Sequence, residues 1–346
     1  MIIIRHFSTA RRSAATYFHS LTPSFFHSHT PMRTLRFTLA YDGTSFHGWQ
    51  FQHGRRTVQG CVMDAVRKIT GEAEPRVRGS SRTDTGVHAL GQLAAVWTES
   101  GIPVEAFPRA MNANLPPDIL VLNAAEESPD FHPISDTVRK RYRYIMHDGP
   151  RPELFLRNYC WRTGRSAPRL DVASMILAAE CLVGTHDFAA FENKGSPREH
   201  TVRTIFDLTV RRGMAAGTGA SHSEAERPDS VVSDLTVLSG LPEVETDSAI
   251  LSGRSASLRE APVPAANTIF PLLGPTSDFI ILEVEADGFL YNMVRNLAGT
   301  LYDVGRGRLP ASRTGEILAS RDRNHGGMTA PPQGLFLMWV KTKSPV

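Results

Sequence analysis

Residues 79 to 92 read Gly-Ser-Ser-Arg-Thr-Asp-Thr-Gly-Val-His-Ala-Leu-Gly-Gln. In this run the carboxylate of Asp84 stands two positions after the Arg82 cation, among hydroxyl and turn-forming residues and ahead of Gly86. A neighbouring cation keeps a carboxylate ionised, and an ionised carboxylate on a loop can serve as nucleophile or general base. The same composition also builds an ordinary turn, in which Asp and Thr hydrogen-bond their own backbone. The loop alone leaves both readings open.

Four other clusters carry groups of chemical interest. Tyr41-Asp42-Gly43-Thr44 is followed by Phe46, Gly48, Trp49 and Gln50, which reads as a strand ending in a glycine turn that carries aromatics. Phe131-His132 precedes Lys140-Arg141-Tyr142-Arg143-Tyr144, and in a strand Tyr142 and Tyr144 share one face. The other two are Thr185-His186-Asp187-Phe188-Ala189-Ala190-Phe191 and Phe289-Leu290-Tyr291-Asn292-Met293-Val294-Arg295-Asn296.

The elements that must position these groups alternate between short strands and helices. Apolar residues at helical spacing (Val58, Val62, Ala65, Val66, Ile69) after a Thr57 cap predict a helix over 58–69. Helices are also expected over 170–183, ending at Gly184, and over 289–304, ending at Gly305. Strands are expected at 33–41, 92–97, 141–146, 204–211 and 279–284. A chain of 346 residues suggests roughly two domains. The pattern fits an α+β class: two domains, each with a mainly antiparallel sheet covered by helices, over 32–146 and 147–346, with an active-site cleft between them.

Charge is unevenly spread. Residues 1–41 hold five arginines and no acid, and residues 213–277 hold eight acids against three bases, so the two segments cancel and the net +3 rests on the remainder. That balance permits nucleic-acid binding without establishing it. Residues 1–31 are rich in Ser, Thr, Arg and His, and have the composition of a mitochondrial presequence. Met32 is the rival start, which would make the extension a mis-assigned one and the protein cytoplasmic. Residues 213–277, dominated by Gly, Ser, Ala, Pro and acids, read as a solvated, unstructured insertion that splits one hairpin. Cys61, Cys160 and Cys181 are odd in number and contain no Cys-x-x-Cys pair, which fits a reducing compartment and no zinc ribbon. No apolar run approaches the roughly 20 residues of a membrane helix, so no membrane partner is expected.

In order, spacing and identity, the five clusters resemble the TruA-type tRNA pseudouridine synthases from about Met32 to Val340, interrupted only by the insertion. The resemblance implies an isomerase that breaks the glycosidic bond of a uridine in the tRNA anticodon arm, at positions 38 to 40 of tRNA. The base then turns and is rejoined through carbon, with neither metal nor cofactor. Asp84 matches the family's essential aspartate, Tyr142 the tyrosine that stacks on the target base, and Arg295 the arginine that pairs with the carboxylate. Arg82 resembles the arginine that enters the RNA and holds the flipped nucleotide, and the neighbouring arginines are expected to keep Asp84 ionised. His88 and Gln92 are assigned loop-shaping and RNA-contact roles; Lys140, Arg141 and Arg143 are candidate phosphate contacts. The resemblance also implies a homodimer. Ser81 and Thr85 stand where many members have Gly or Ala and Ala, which touches fine loop geometry. A non-catalytic tRNA-binding or RNA-folding protein on the same fold is the rival function. A glycosidase would need a second carboxylate beside Asp84.

Overall fold

The structure, a computed structural model, describes residues 31–164, 169–195, 200–213 and 276–343. The first half runs β1 (Arg33–Tyr41), α1 (Val58–Thr70), β2 (Arg76–Gly79), β3 (His88–Thr98), α2 (Phe107–Asn112) and β4 (Ile119–Glu127). The second runs β5 (Thr137–His147), β6 (Trp161–Arg162), α3 (Val172–Glu180), β7 (Gly184–Asp187), β8 (Val202–Arg212), β9 (Phe279–Ala286), α4 (Met293–Gly305), α5 (Arg313–Ser320) and β10 (Leu335–Thr342).

Local sequence explains the elements nearest the site. In β1, Leu35, Phe37 and Leu39 are fully buried while Arg36, Thr38 and Ala40 between them are not, the period of a half-buried strand. Each such buried side chain contributes about 1.5–3 kcal/mol. Helix α1 begins at Thr57, whose side chain accepts from the Gly60 amide, and buries Val58, Val62, Ala65 and Val66 against the sheet.

The strands form one ten-stranded, mainly antiparallel sheet in the order β4-β1-β3-β10-β5-β9-β8-β7, with β2 on β3 and β6 on β5. The two expected sheets are thus joined edge to edge. The joining strand, β10, was not expected from the sequence: it pairs parallel with β3 (Phe336 with His88, Leu337 with Ala89) and antiparallel with β5 (Leu337 with Tyr142). Asp84 precedes β3 and Tyr142 lies on β5, so this one strand sets the spacing between two of the predicted catalytic residues.

Two helices differ from expectation at their starts. Helix α3 begins at Val172 because Asp171 caps it by accepting from the Ser174 amide, and the chain leaves into β7 at Gly184. Helix α4 begins at Met293, four residues later than expected. Asn292 takes the left-handed conformation (φ 58°) and the Met293 amide donates to the Leu290 carbonyl, so 289–292 form a turn.

Strands β8 and β9 pair antiparallel, as one hairpin interrupted at its tip. The Gly213 amide donates to the Phe279 carbonyl at one end, and the Asp287 amide to the Thr204 carbonyl at the other. Eight residues of strand put those ends about 27 Å apart. The acidic 213–277 segment, which lies outside the described residues except at its edges, is therefore rooted away from the Asp287 end. The 1–31 extension also lies outside the described residues, apart from Pro31. No described helix is long and apolar enough to cross a membrane.

Candidate active site

The loop from Gly79 to Val87 is held from below by neighbours that the sequence placed far away. The Trp49 amide donates to the Thr83 carbonyl (3.0 Å), and the Gly86 amide to the Phe46 carbonyl (3.3 Å). The Tyr41 and Thr83 hydroxyls lie 2.8 Å apart. Gly86 has φ +78°, where a side chain would be strained. At Gly43 a Cβ would sit 2.0 Å from the Val87 carbonyl oxygen, so the turn after β1 can only approach the loop because that residue is glycine. Gln92, fully buried, donates to the Ser81 carbonyl (2.8 Å) and accepts from the Ser80 hydroxyl (3.0 Å). These contacts fix the loop as a rigid platform instead of a free turn.

Asp84 projects from that platform into an open cleft of about 1200 Å³. One of its carboxylate oxygens accepts from Nη1 of Arg295 at 3.4 Å, across 211 residues of sequence. Arg295 is itself oriented twice: Nε donates to the Ala330 carbonyl (2.7 Å) and Nη1 to Oδ1 of Asn292 (3.0 Å). Burial pushes the Asp84 carboxyl above its ordinary range, and the Arg295 cation pulls back only part of the way. The expected arginine support for the ionised form comes from Arg295, and burial opposes it. Among the described residues Arg295 alone pairs with it, and the desolvation of a mostly enclosed carboxylate outweighs that one pair. Arg82 is exposed on the cleft wall and has no ion-pair partner among the described residues.

Tyr142 lies on the β5 face that looks into the cleft, its ring meeting Phe289 edge-on at 5.1 Å. Its hydroxyl lies 3.4 Å from Oγ of Ser81, and burial pushes the phenol up to about 12, so it is neutral at working pH. Tyr144, two residues on, shares this face, is fully buried, and donates to the Pro331 carbonyl (2.7 Å). Lys140 is on the same face and donates to the Ser80 carbonyl (2.7 Å).

Arg141 and Arg143 do not join them. The period of two in β5 sends both to the opposite face, where Arg141 pairs with Asp207, Glu283 and Glu285, and Arg143 with Glu283. Carboxylates from β8 and β9 already neutralise these guanidinium groups, so their expected role as phosphate contacts at the cleft is corrected to a structural one. The RNA-contact half of the His88 and Gln92 expectation fails for a different reason, which is burial: they are 2% and 0% exposed. Nδ1 of His88 accepts from the Gly43 amide (3.0 Å), its ring stacks on Phe336 at 4.7 Å, and burial pushes the imidazole down against the pull of Asp42. Their shaping role stands on these contacts.

Sequence reasoning missed several groups here. Asp287 lines the cleft as a second carboxylate and accepts from the Thr204 amide (3.1 Å); its place after the strand ending at Ala286 was the available signal. Phe289 and Asn292 belong to a cluster whose sequence pattern gives neither a role. The Ala330 carbonyl, a backbone group in a Pro- and Gly-rich segment, has no sequence signature. Among the described residues no group of three or more His, Cys, Asp or Glu could hold a metal ion.

A family model described as tRNA pseudouridine synthase matches residues 38–134 and 178–342 of this chain. The tRNA pseudouridine synthase A of Thermoanaerobacter sp. (strain X514) is 38% identical over 309 residues, covering 89% of this chain and 99% of that protein. The protein of the same name from Moorella thermoacetica is 37% identical over 313 residues, covering 90% and 100%. The one from Acetivibrio thermocellus is 36% identical over 309 residues, covering 89% and 99%. The family match takes in the Asp84 loop and α4, the relatives span nine-tenths of the chain, and the chain belongs to the tRNA pseudouridine synthase family.

Proposed function

We propose that this protein isomerises uridine to pseudouridine in the anticodon arm of tRNA, at positions 38 to 40, in a cleft between two domain halves that share the sheet. The observation that carries this reading is the Asp84 carboxylate, paired with Arg295 at 3.4 Å and facing the cleft beside Tyr142.

The reaction is internally balanced. The bond from the ribose C1′ to N1 of uracil breaks, the base turns, a bond from C1′ to C5 forms, the C5 proton is released to solvent and N1 takes up one proton from solvent, so the product has the same atoms as the substrate. Asp84 starts it in its ionised form, either by attacking C1′ or by taking the C2′ proton. Tyr142, neutral at working pH, stacks on the detached base and confines its rotation. A stacked base in an RNA helix cannot reach a carboxylate recessed in a cleft, so the nucleotide must be extruded, and in this reading Arg82, which lines the cleft, fills the gap it leaves. Lys140 supplies positive charge on the same side. Two copies share one tRNA in this proposal; light scattering of the protein with and without tRNA tests that assembly.

The decisive experiment incubates the purified protein with unmodified tRNA and maps pseudouridine by carbodiimide treatment and primer extension. Wild type is expected to convert uridines in the anticodon arm. Asp84→Asn, which nearly preserves shape and removes the charge, is expected to lose conversion and keep tRNA affinity. Normal tRNA binding by a wild type that forms no pseudouridine would sink the enzymatic reading.

A further inference from the structure

Behind Arg295, on the side away from the cleft, α4 is tied to the segment 323–330 by a polar cluster that the site above does not use. Its centre is the half-buried guanidinium of Arg323. Nε donates to Oδ1 of Asn193 (3.0 Å), and Nη2 donates to Oδ1 of Asn296 (2.9 Å) and to Oγ1 of Thr329 (3.1 Å). The acceptors are cross-linked: Thr329 donates to Oδ1 of Asn296 (2.7 Å), while Nδ2 of Asn296, fully buried, donates to the Phe191 carbonyl (2.7 Å) and to Asn193 (3.0 Å). No carboxylate forms an ion pair with Arg323 among the described residues. Even a half-buried cation held by neutral oxygens carries a desolvation cost, and a cluster needed merely to fill space is better served by apolar side chains. What a guanidinium adds is a planar fork that fixes three separate acceptors relative to one another.

Two of those acceptors flank the Arg295 clamp in sequence. Asn296 follows Arg295, and Thr329 precedes Ala330. Ala330 holds Arg295 from two directions: its carbonyl accepts from Arg295 Nε (2.7 Å) and its amide donates to the Arg295 carbonyl (3.0 Å). The other restraint on Arg295 is weak at its source. Asn292 makes no side-chain cap for α4, and its Oδ1 is taken by Arg295 itself. The first turn of α4 therefore depends on contacts from elsewhere, and the Arg323 fork supplies them. The third acceptor, Asn193, lies two residues before Gly195 on the cleft wall, and its amide donates to the Tyr291 carbonyl (3.1 Å), which ties the 289–292 turn into the same cluster.

We propose that Arg323 is a positioning residue for the reaction: by clamping Asn296 and Thr329 it holds the Ala330 carbonyl and the first turn of α4, which together aim Arg295 at Asp84. It touches no substrate. This rests on Asp84 and Arg295 being the reacting carboxylate and its partner.

The test compares wild type, Arg323→Met and Thr329→Val, each checked for folding by circular dichroism. With aspartate Cγ carbons labelled, NMR follows the Asp84 titration in the free protein, its signal assigned by its loss in Asp84→Asn; single-turnover pseudouridine formation and tRNA affinity are measured alongside. In Arg323→Met the Asp84 titration should move to higher pH as Arg295 loosens, and the single-turnover rate should fall about tenfold to a hundredfold. Affinity for tRNA should change by less than about threefold. Thr329→Val, which cuts one arm of the fork, should move both quantities the same way by less. An unmoved Asp84 titration in the folded variants, whatever their thermal stability, would overturn the proposal. A wild type that makes no pseudouridine would refute the functional reading and still leave the titrations to decide the positioning. If Arg323→Met does not fold, Thr329→Val decides alone.

Discussion

Replacing Arg295 by glutamine isolates the electrostatics of the site. At 3.4 Å the Asp84–Arg295 pair is worth about 5 kcal/mol at an effective dielectric of roughly 20. The pair faces an open cleft, with side-chain exposures of 16% and 26%, and solvent screening brings the usable part to about 2 kcal/mol. Since about 1.4 kcal/mol is tenfold in rate, the single-turnover rate near neutral pH should fall about thirtyfold. The sign with pH follows from the same contacts. Burial already holds the Asp84 carboxyl above its ordinary range against the pull of Arg295, so removing the cation leaves burial unopposed and raises it further. Activity requires the ionised form, is present above that pKa, and is lost as pH falls through it. Arg295→Gln should therefore lose activity at a higher pH than wild type and recover part of its deficit on the alkaline side. The assay is single-turnover pseudouridine formation at saturating tRNA across pH. An acid limb that stays put or moves to lower pH, or a deficit constant across the profile, would refute this account of why Arg295 is there.

Two further outcomes follow from the faces of β5 and from its tyrosine. Lys140→Gln should weaken tRNA binding and reduce by about one the slope of log affinity against log salt. Arg141→Gln, on the opposite face among Asp207, Glu283 and Glu285, should change thermal stability and leave that slope alone; equal effects on tRNA binding would show that the strand's two faces have been misread. Tyr142→Phe removes a phenol that burial pushes up to about 12, so the pH profile of the variant should keep the wild-type shape up to pH about 10. Disappearance of an alkaline limb within that range would mean the phenol ionises during turnover.

What could be read from the sequence and what could not divide along physical lines. Tyr142 and Tyr144 were placed on one face because strand alternation is a local rule, and that rule, carried one step further, would also have sent Arg141 and Arg143 to the other side. It was not carried further because like-charged residues beside an aromatic look like an RNA surface until the carboxylates of β8 and β9 are known to lie against them. The Asp84 loop was legible in kind and not in outcome. Composition leaves a turn and a catalyst both open, and the loop is both, a turn held by Tyr41, Trp49 and Gln92 so that one carboxylate is kept part-buried. The upward shift of Asp84 has no signal in the sequence, because a motif displays neighbouring charges and never displays enclosure, which is the larger effect here. β10 escaped notice for lack of alternation. Leu335 to Met338 are all buried, the pattern of a strand covered on both faces, and such a run carries no period to detect. Yet that strand sets Asp84 and Tyr142 at working distance. Arg323 is the limiting case: a cation in a polar segment acquires meaning only from Thr329 in its own segment and from Asn193 and Asn296, which the fold brings from two other parts of the chain. Groups that act directly on a substrate are constrained in type and announce themselves by type. Groups that aim them are constrained by position alone, and position appears only once the chain has folded.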